Sequence, residues 1–231
     1  MSNRNKLEKF AELLSFPNVF ENFNPKENIL TGKDGIQVDF TNGWNSFCFK
    51  NNNPIILELA CGRGEYSLKL ADRNPKNNYI GVDIKGARIW NGAKKALQEN
   101  KKNVAFLRTR IEHIDDFFKP EEIDQIWITF PDPFLKKSKA NRRLTSPYFI
   151  DKYRKFLKKK GIVHLKTDSP ELYDFTMNVI SKDNRCHIIY NNDDIYSTEL
   201  DFPELEIKTY YENSHLKNGR KIKYIRFTIN S

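Results

Sequence analysis

The chain has 231 residues, room for one α/β domain with decoration or for two small domains. Charged residues make up 30% of it and aromatic residues 13%, a balance that excludes a disordered chain. Against 30 Asp and Glu stand 39 Lys and Arg; the net charge of +9 points to a polyanionic partner, either nucleic acid or an anionic membrane surface.

Cys48, Cys61 and Cys186 are scattered, with no C-x-x-C pair and no His at metal-ligand spacing. No disulfide framework and no metal site is expected, and a reducing cytoplasm is the expected location. Residues 1–10 are charged and lack the apolar centre of a signal peptide. No apolar run approaches the roughly 20 residues that span a bilayer, so no membrane partner is expected. Oligomeric state is left open between monomer and homodimer.

In chain order, residues 6–14 predict a helix with Leu7, Phe10, Ala11 and Leu14 on one face. Asn, Gly and aromatic residues then dominate to Asn53, which reads as a loop-rich extension ahead of the first core strand, 55–60. A helix over 66–73, a strand over 79–84, a helix over 87–100 and strands over 104–108 and 124–130 follow. Residues 148–160 predict a helix with Gly161 as its C-cap. A fifth strand over 162–166 leads to a helix that Ser169-Pro170 starts well. Two late strands, 187–190 and 221–229, have no clear long helix between them and predict an antiparallel edge hairpin. Alternating strands and helices predict a doubly wound sheet with ligands at the carboxyl ends of the strands.

The segment Glu58-Leu-Ala-Cys-Gly62-Arg-Gly64-Glu65 falls where the first core strand turns into a helix. Gly62 and Gly64 let the backbone approach a ligand closely, and Glu58 can face a cation such as an α-ammonium group. Asp83, ending the next strand, is placed to accept hydrogen bonds from two ribose hydroxyls. An acid there suits a dinucleotide too, but the third glycine of that fingerprint falls on Ser67. Cys61 reads as a small filler, since no base lies near it in the sequence.

After the fourth core strand comes Phe130-Pro131-Asp132-Pro133-Phe134. Two prolines fix the turn around one acid, and each should push the residue before it, Phe130 and Asp132, to extended geometry. Phe130 and Phe134 are candidates to stack a base. The run Lys136-Lys137-Ser-Lys139-Ala-Asn-Arg142-Arg143 forms a platform for phosphates. A second basic cluster, Lys155 and Lys158 to Lys160, is expected at a helix end. Asp168 reads as an N-cap, a substrate ligand or both. Thr209 to Glu212 reads as a helix start with a capping box.

Together these residues resemble the bacterial tRNA (guanine-N7-)-methyltransferase family, from about Ile55 through Phe227. The segments that carry the resemblance are ELACGRGE, FPDPFLKKSKANRR, HLKTD and TYYENSHLKNGR, the second being the most specific. The resemblance implies a Rossmann-like class I methyltransferase with a seven-stranded, mostly parallel sheet over residues 54–231, preceded by an extension over 1–53. It implies S-adenosylmethionine held by Glu58 and Asp83 around the Gly62 and Gly64 turn, and Asp132 as an active-site acid touching both cofactor and guanine. It implies tRNA as substrate, with Lys136, Asp168, Thr209 and Glu212 on the substrate side and guanosine 46 of the variable region as acceptor. Where the family usually has Asp or Asn for the adenine this chain has Arg110, so either the backbone of Arg110 and Ile111 serves or the alignment slips by one. Phe134-Leu135 also replaces the more frequent Trp-His. A methyltransferase for another acceptor, a nucleotide-dependent oxidoreductase and a non-catalytic RNA-binding module remain the alternatives.

Overall fold

The computed structural model describes residues 3–230, and side chains from residue 7 onward; the expected signal-free N-terminus falls in part, at Met1 and Ser2, outside the described residues. Helix α1 (Asn3–Leu13) and a short strand β1 (Val19–Glu21) precede the alternating core. The core runs β2 (Ile55–Leu59), α2 (Glu65–Arg73), β3 (Asn78–Asp83), α3 (Gly86–Gln98), β4 (Val104–Arg108) and β5 (Ile123–Thr129). It continues through α4 (Pro147–Tyr153), β6 (Leu157–Thr167), α5 (Pro170–Lys182), β7 (Cys186–Asn192), α6 (Tyr210–Lys217) and β8 (Lys223–Ile229). The strands form one sheet in the order β1-β4-β3-β2-β5-β6-β8-β7. Its first five junctions are parallel, and β8 runs antiparallel to both β6 and β7, the expected edge hairpin.

The sheet has eight strands rather than seven because Val19–Glu21 adds to the edge of β4. Three residues are too few for an alternation to show in sequence. They are held by burial, and the Glu21 carboxylate pairs with Arg108 at 2.7 Å. The extension shares the core of the sheet. Trp44 is fully buried and its indole N–H donates to the Phe117 carbonyl at 2.9 Å, while Phe20 meets it edge-on at 5.2 Å.

Two expectations change. In α1 the packed residues are Phe10 and Leu13, set against Gly86 of α3, whereas Leu7 and Leu14 are exposed. The helix expected over 148–160 ends at Tyr153, and the chain enters β6 at Leu157, which pairs with Ile123. A bulge between Leu157 and Ile162 absorbs the basic residues, so Gly161 lies within a strand and caps no helix. Lys155 pairs with Asp115 and Lys158 with Asp124, at the amino ends of β5 and β6. This second basic cluster therefore sits at the opposite edge from the ligand-binding ends of the strands.

The chain fills β2, β3 and β4 in one direction and β5 and β6 in the other. Such a reversal leaves a crevice at the carboxyl ends of the two central strands, β2 and β5, where open α/β sheets bind ligands.

Candidate active site

Gly62 and Gly64 have φ of +57° and +67°, the left-handed region in which glycine carries no steric cost. They are there for different reasons. A Cβ on Gly64 would lie 2.5 Å from the Phe106 ring, so this glycine lets the turn sit on the sheet. A Cβ on Gly62 would meet nothing within 4 Å, so this one faces open space. The Gly62 N–H donates to Oδ2 of Asp83 at 2.9 Å, and the Lys85 N–H to its Oδ1 at 2.8 Å. Thus the carboxylate ending β3 is oriented by two backbone donors beside the turn.

Glu58 lies one residue before the end of β2 and is 2% exposed. One oxygen accepts from the N–H and hydroxyl of Ser67, and the other from the Thr129 hydroxyl at 3.0 Å. All three donors are neutral. Burial therefore pushes the Glu58 carboxyl up to about 7, against those hydrogen bonds and with help from the Asp83 charge. Position 67, read in the sequence only as a missing glycine, is what holds this acid.

Three adjoining cavities open at this edge. The first, about 180 Å³, runs from Glu58 and Gly62 past Thr129 to Thr209, Tyr211 and His215. The second, about 510 Å³, holds Asp83, Arg110 and Ile111 against the apolar side chains of Leu144 and Phe149. The third, about 710 Å³, lies between Asp132, Asp168, His215 and Arg220. Phe130 borders all three, and Asp132 borders the second and third.

Phe130 is not extended as expected before proline: its φ is +50°. Its N–H still donates to the Lys166 carbonyl at 2.8 Å, as a sheet residue would, while its ring stacks on His215 at 5.7 Å. A positive φ is costly for a phenylalanine, and this hydrogen bond and ring stack are the contacts that hold it. Asp132 is exposed, and its Oδ1 accepts from the Phe134 N–H at 3.0 Å. Its other oxygen has no partner among the described residues and is free for a ligand.

The basic run divides. Lys136, Lys137, Lys139 and Arg142 are exposed just after the Asp132 loop, and Arg142 borders the second cavity and lies over the Phe134 ring at 4.7 Å. Arg143 is turned inward and is 8% exposed. It donates to the Pro133 and Phe134 carbonyls at 2.9 and 3.1 Å and so clamps the loop that carries Asp132. It is not part of an exposed phosphate platform, and Phe134, engaged by Arg142, presents less face for a base than the sequence suggests.

Asp168 lines the third cavity but caps no helix; Ser169 does that, accepting from the Leu172 N–H at 3.2 Å. Asp168 instead meets His215 at 3.3 Å and Arg220 at 2.5 Å. Thr209 caps α6 by accepting from the Glu212 N–H at 3.2 Å and borders the first cavity. Glu212 is fully buried and does not reach a cavity, for its carboxylate pairs with Lys166 at 2.7 Å. Sequence reading missed Lys166, His215 and Arg220. All three lie inside the segments HLKTD and TYYENSHLKNGR that carry the family resemblance. The spacing within those segments does not show their roles, since Lys166 meets Glu212 and both His215 and Arg220 meet Asp168 only through the packing of α6 on the sheet.

Among the described residues no group of three or more His, Cys, Asp and Glu side chains is arranged to hold a metal ion, and no helix is long and apolar enough to cross a membrane.

A family model whose description reads "Putative methyltransferase" matches residues 52–225. A tRNA (guanine-N(7)-)-methyltransferase of Bacteroides fragilis is 49% identical over 226 residues, covering 98% of this chain and 86% of the relative. One of the same name from Christiangramia forsetii is 45% identical, covering 99% of this chain and all of the relative. Among solved structures, the 16S rRNA methyltransferase KamB aligns with a TM-score of 0.59 at 13% identity, over 84% of this chain and 96% of that one. TrmN of Thermus thermophilus aligns with a TM-score of 0.55 at 17% identity, over 77% of this chain and 44% of that one. At these identities the two structures speak to the fold alone, a Rossmann-like one.

Proposed function

This chain belongs to the tRNA (guanine-N(7)-)-methyltransferase family, and from that premise we propose that it transfers a methyl group from S-adenosylmethionine to N7 of guanosine 46 in the variable region of tRNA. A cytoplasmic location follows from that substrate. The observation that carries the reading is the position of Asp132, on the wall shared by the second and third cavities.

The residues fit the cofactor. Glu58 is a buried acid surrounded by neutral donors only, and an α-ammonium group would supply the missing cation. Gly62 leaves room beside it. Asp83 offers both carboxylate oxygens to ribose hydroxyls. Ile111, Leu144 and Phe149 give the second cavity an apolar face for an adenine, with the backbone of Arg110 and Ile111 at its edge. Bound there, S-adenosylmethionine supplies a methyl group activated by its positive sulfur.

Guanine N7 has a lone pair and carries no proton, so no residue has to remove one before attack. The protein's task is alignment. The free oxygen of Asp132 accepts from the donor edge of the guanine, Arg143 keeps that loop still, and Phe130 separates base from cofactor. Asp168, held by His215 and Arg220, closes the far side of the third cavity.

Lys136, Lys137, Lys139 and Arg142 form no ion pair among the described residues and face the tRNA backbone in this reading. Replacing Lys136, Lys139 and Arg142 together by Ala is expected to weaken tRNA binding and flatten the slope of log affinity against log salt by about 2. Arg143→Ala is expected to lower turnover with that slope unchanged, because its guanidinium is spent on the loop. Titrations of tRNA at several salt concentrations check both.

The functional reading is tested with labelled cofactor and two tRNA transcripts, one carrying guanosine and one adenosine at position 46. Methyl incorporation into the first and none into the second is expected. Equal incorporation into both would send the acceptor elsewhere.

A further inference from the structure

Lys166 sits on β6 two residues before Asp168 and is fully buried, as is Glu212. An unpaired ammonium in such a place would be costly, and this one is saturated. Its Nζ donates to the Leu205 and Ile207 carbonyls, both at 3.0 Å, and to Oε2 of Glu212 at 2.9 Å, with the other carboxylate oxygen in ion-pair contact at 2.7 Å. The Tyr196 hydroxyl donates to the same carboxylate at 2.7 Å. All these partners belong to the connection from β7 to α6 or to α6 itself. The connection lies across α2, where Tyr66 donates to the Glu204 carbonyl at 2.7 Å, and the Glu65 carboxylate receives the Tyr210 N–H at 2.7 Å. At its end α6 presents Thr209, Tyr211 and His215 to the first cavity.

The main chain of Lys166 reaches the other wall, for its carbonyl accepts from the Phe130 N–H at 2.8 Å and fixes the start of the Asp132 loop. One residue therefore ties the cofactor-side helix and the acceptor-side loop to the same point of the sheet. Neither Lys166 nor Glu212 borders any of the three cavities.

We propose that Lys166 and Glu212 are positioning residues, a buried pin that sets α6 against the cofactor cavity, and that Glu212 serves the reaction through Lys166 without touching substrate. The proposal rests on the methyl-transfer reading for its meaning, but its primary readout is cofactor binding, which needs no RNA.

The test is a double-mutant cycle with Glu212→Gln, Lys166→Met and the double variant, each measured for S-adenosylmethionine Kd, for kcat and tRNA KM, and for melting temperature. Each single change is expected to raise the cofactor Kd at least about tenfold, and the double variant to be no more than about threefold worse than the worse single, since removing both partners leaves no unpaired charge. A double variant whose loss equals the product of the two single losses overturns the pin. So does a Glu212→Gln effect confined to tRNA KM, the signature of direct substrate contact. Should the single variants not fold, Tyr196→Phe loosens the pin without unpairing the charges. It is expected to raise the cofactor Kd about threefold, and an unchanged Kd would overturn the proposal. Absence of cofactor binding by the unaltered protein would instead overturn the methyl-transfer reading itself.

Discussion

Asp132→Asn is expected to lower kcat at saturating tRNA about 100-fold or more while leaving the cofactor Kd within about threefold of the unaltered protein. The reason is geometric. The carboxylate stands on the wall between the second and third cavities with one oxygen anchored by the Phe134 N–H and the other free. An amide in its place keeps the size but points an N–H₂ group at either the anchor or the guanine donors. Either outcome rotates the base away from the line of attack, and a misplacement of about 1 Å is enough for a loss of that order. Cofactor affinity is expected to be spared because the proposed function assigns the cofactor's ammonium group to Glu58 and its ribose to Asp83. Single-turnover methylation beside calorimetry of the cofactor checks both halves. Near-full turnover in the variant would remove Asp132 from its place at the centre of the reaction.

The second large effect concerns Glu58 and has a sign fixed by its environment. Burial raises its carboxyl to about 7 in the folded protein, from an ordinary value of 4.5. A raised acid favours the folded state below about pH 4.5, and that contribution is lost as pH rises through about 7. Binding of an ammonium reverses the preference, because the cation favours the ionised carboxylate. Below about pH 7 the cofactor must therefore displace a proton from Glu58, and its affinity is expected to fall by up to about tenfold per pH unit. Above pH 7 the acid is already ionised and the dependence from this group flattens. Glu58→Gln is expected to bind the cofactor at least about tenfold more weakly at pH 8 and to lose the dependence between pH 6 and 7. Calorimetry in buffers of different ionisation enthalpy checks the proton release, which the variant should not show. A pH-independent Kd in the unaltered protein would mean that Glu58 does not meet the ammonium.

Much of the cofactor half is legible in the sequence because its signals are local. Glu58, Gly62 and Gly64 lie within seven residues and Asp83 ends the next strand, so the order of elements alone brings them to one edge. The acceptor half is legible only in part. The two prolines announce a fixed loop around Asp132, but what fixes it further is Arg143, whose inward turn no charge count reveals. A run of basic residues looks uniform until packing decides which of them find carbonyl oxygens. Glu212 shows the same limit. Its spacing from Thr209 suits a capping box, and Thr209 does cap α6, yet the Glu212 side chain is claimed by Lys166, 46 residues earlier, because a buried ammonium has the stronger demand. The helix expected over 148–160 failed for a related reason. Periodicity continues past Tyr153, but pairing of Leu157 with Ile123 and the ion pair of Lys158 with Asp124 draw the chain into the sheet. The strand Val19–Glu21 is too short to carry a pattern and exists because the edge of β4 offers it partners.

The central claim is that a proton-free ring nitrogen of guanine is the acceptor aligned by Asp132. The most direct measurement is borohydride reduction and aniline cleavage of an unmodified tRNA transcript after incubation with the protein and S-adenosylmethionine, since a guanine methylated at N7 becomes a cleavage site and an unmethylated one does not. A single new break at position 46 is predicted. Methyl incorporation without that break would place the methyl group on another atom or another nucleotide and contradict the account.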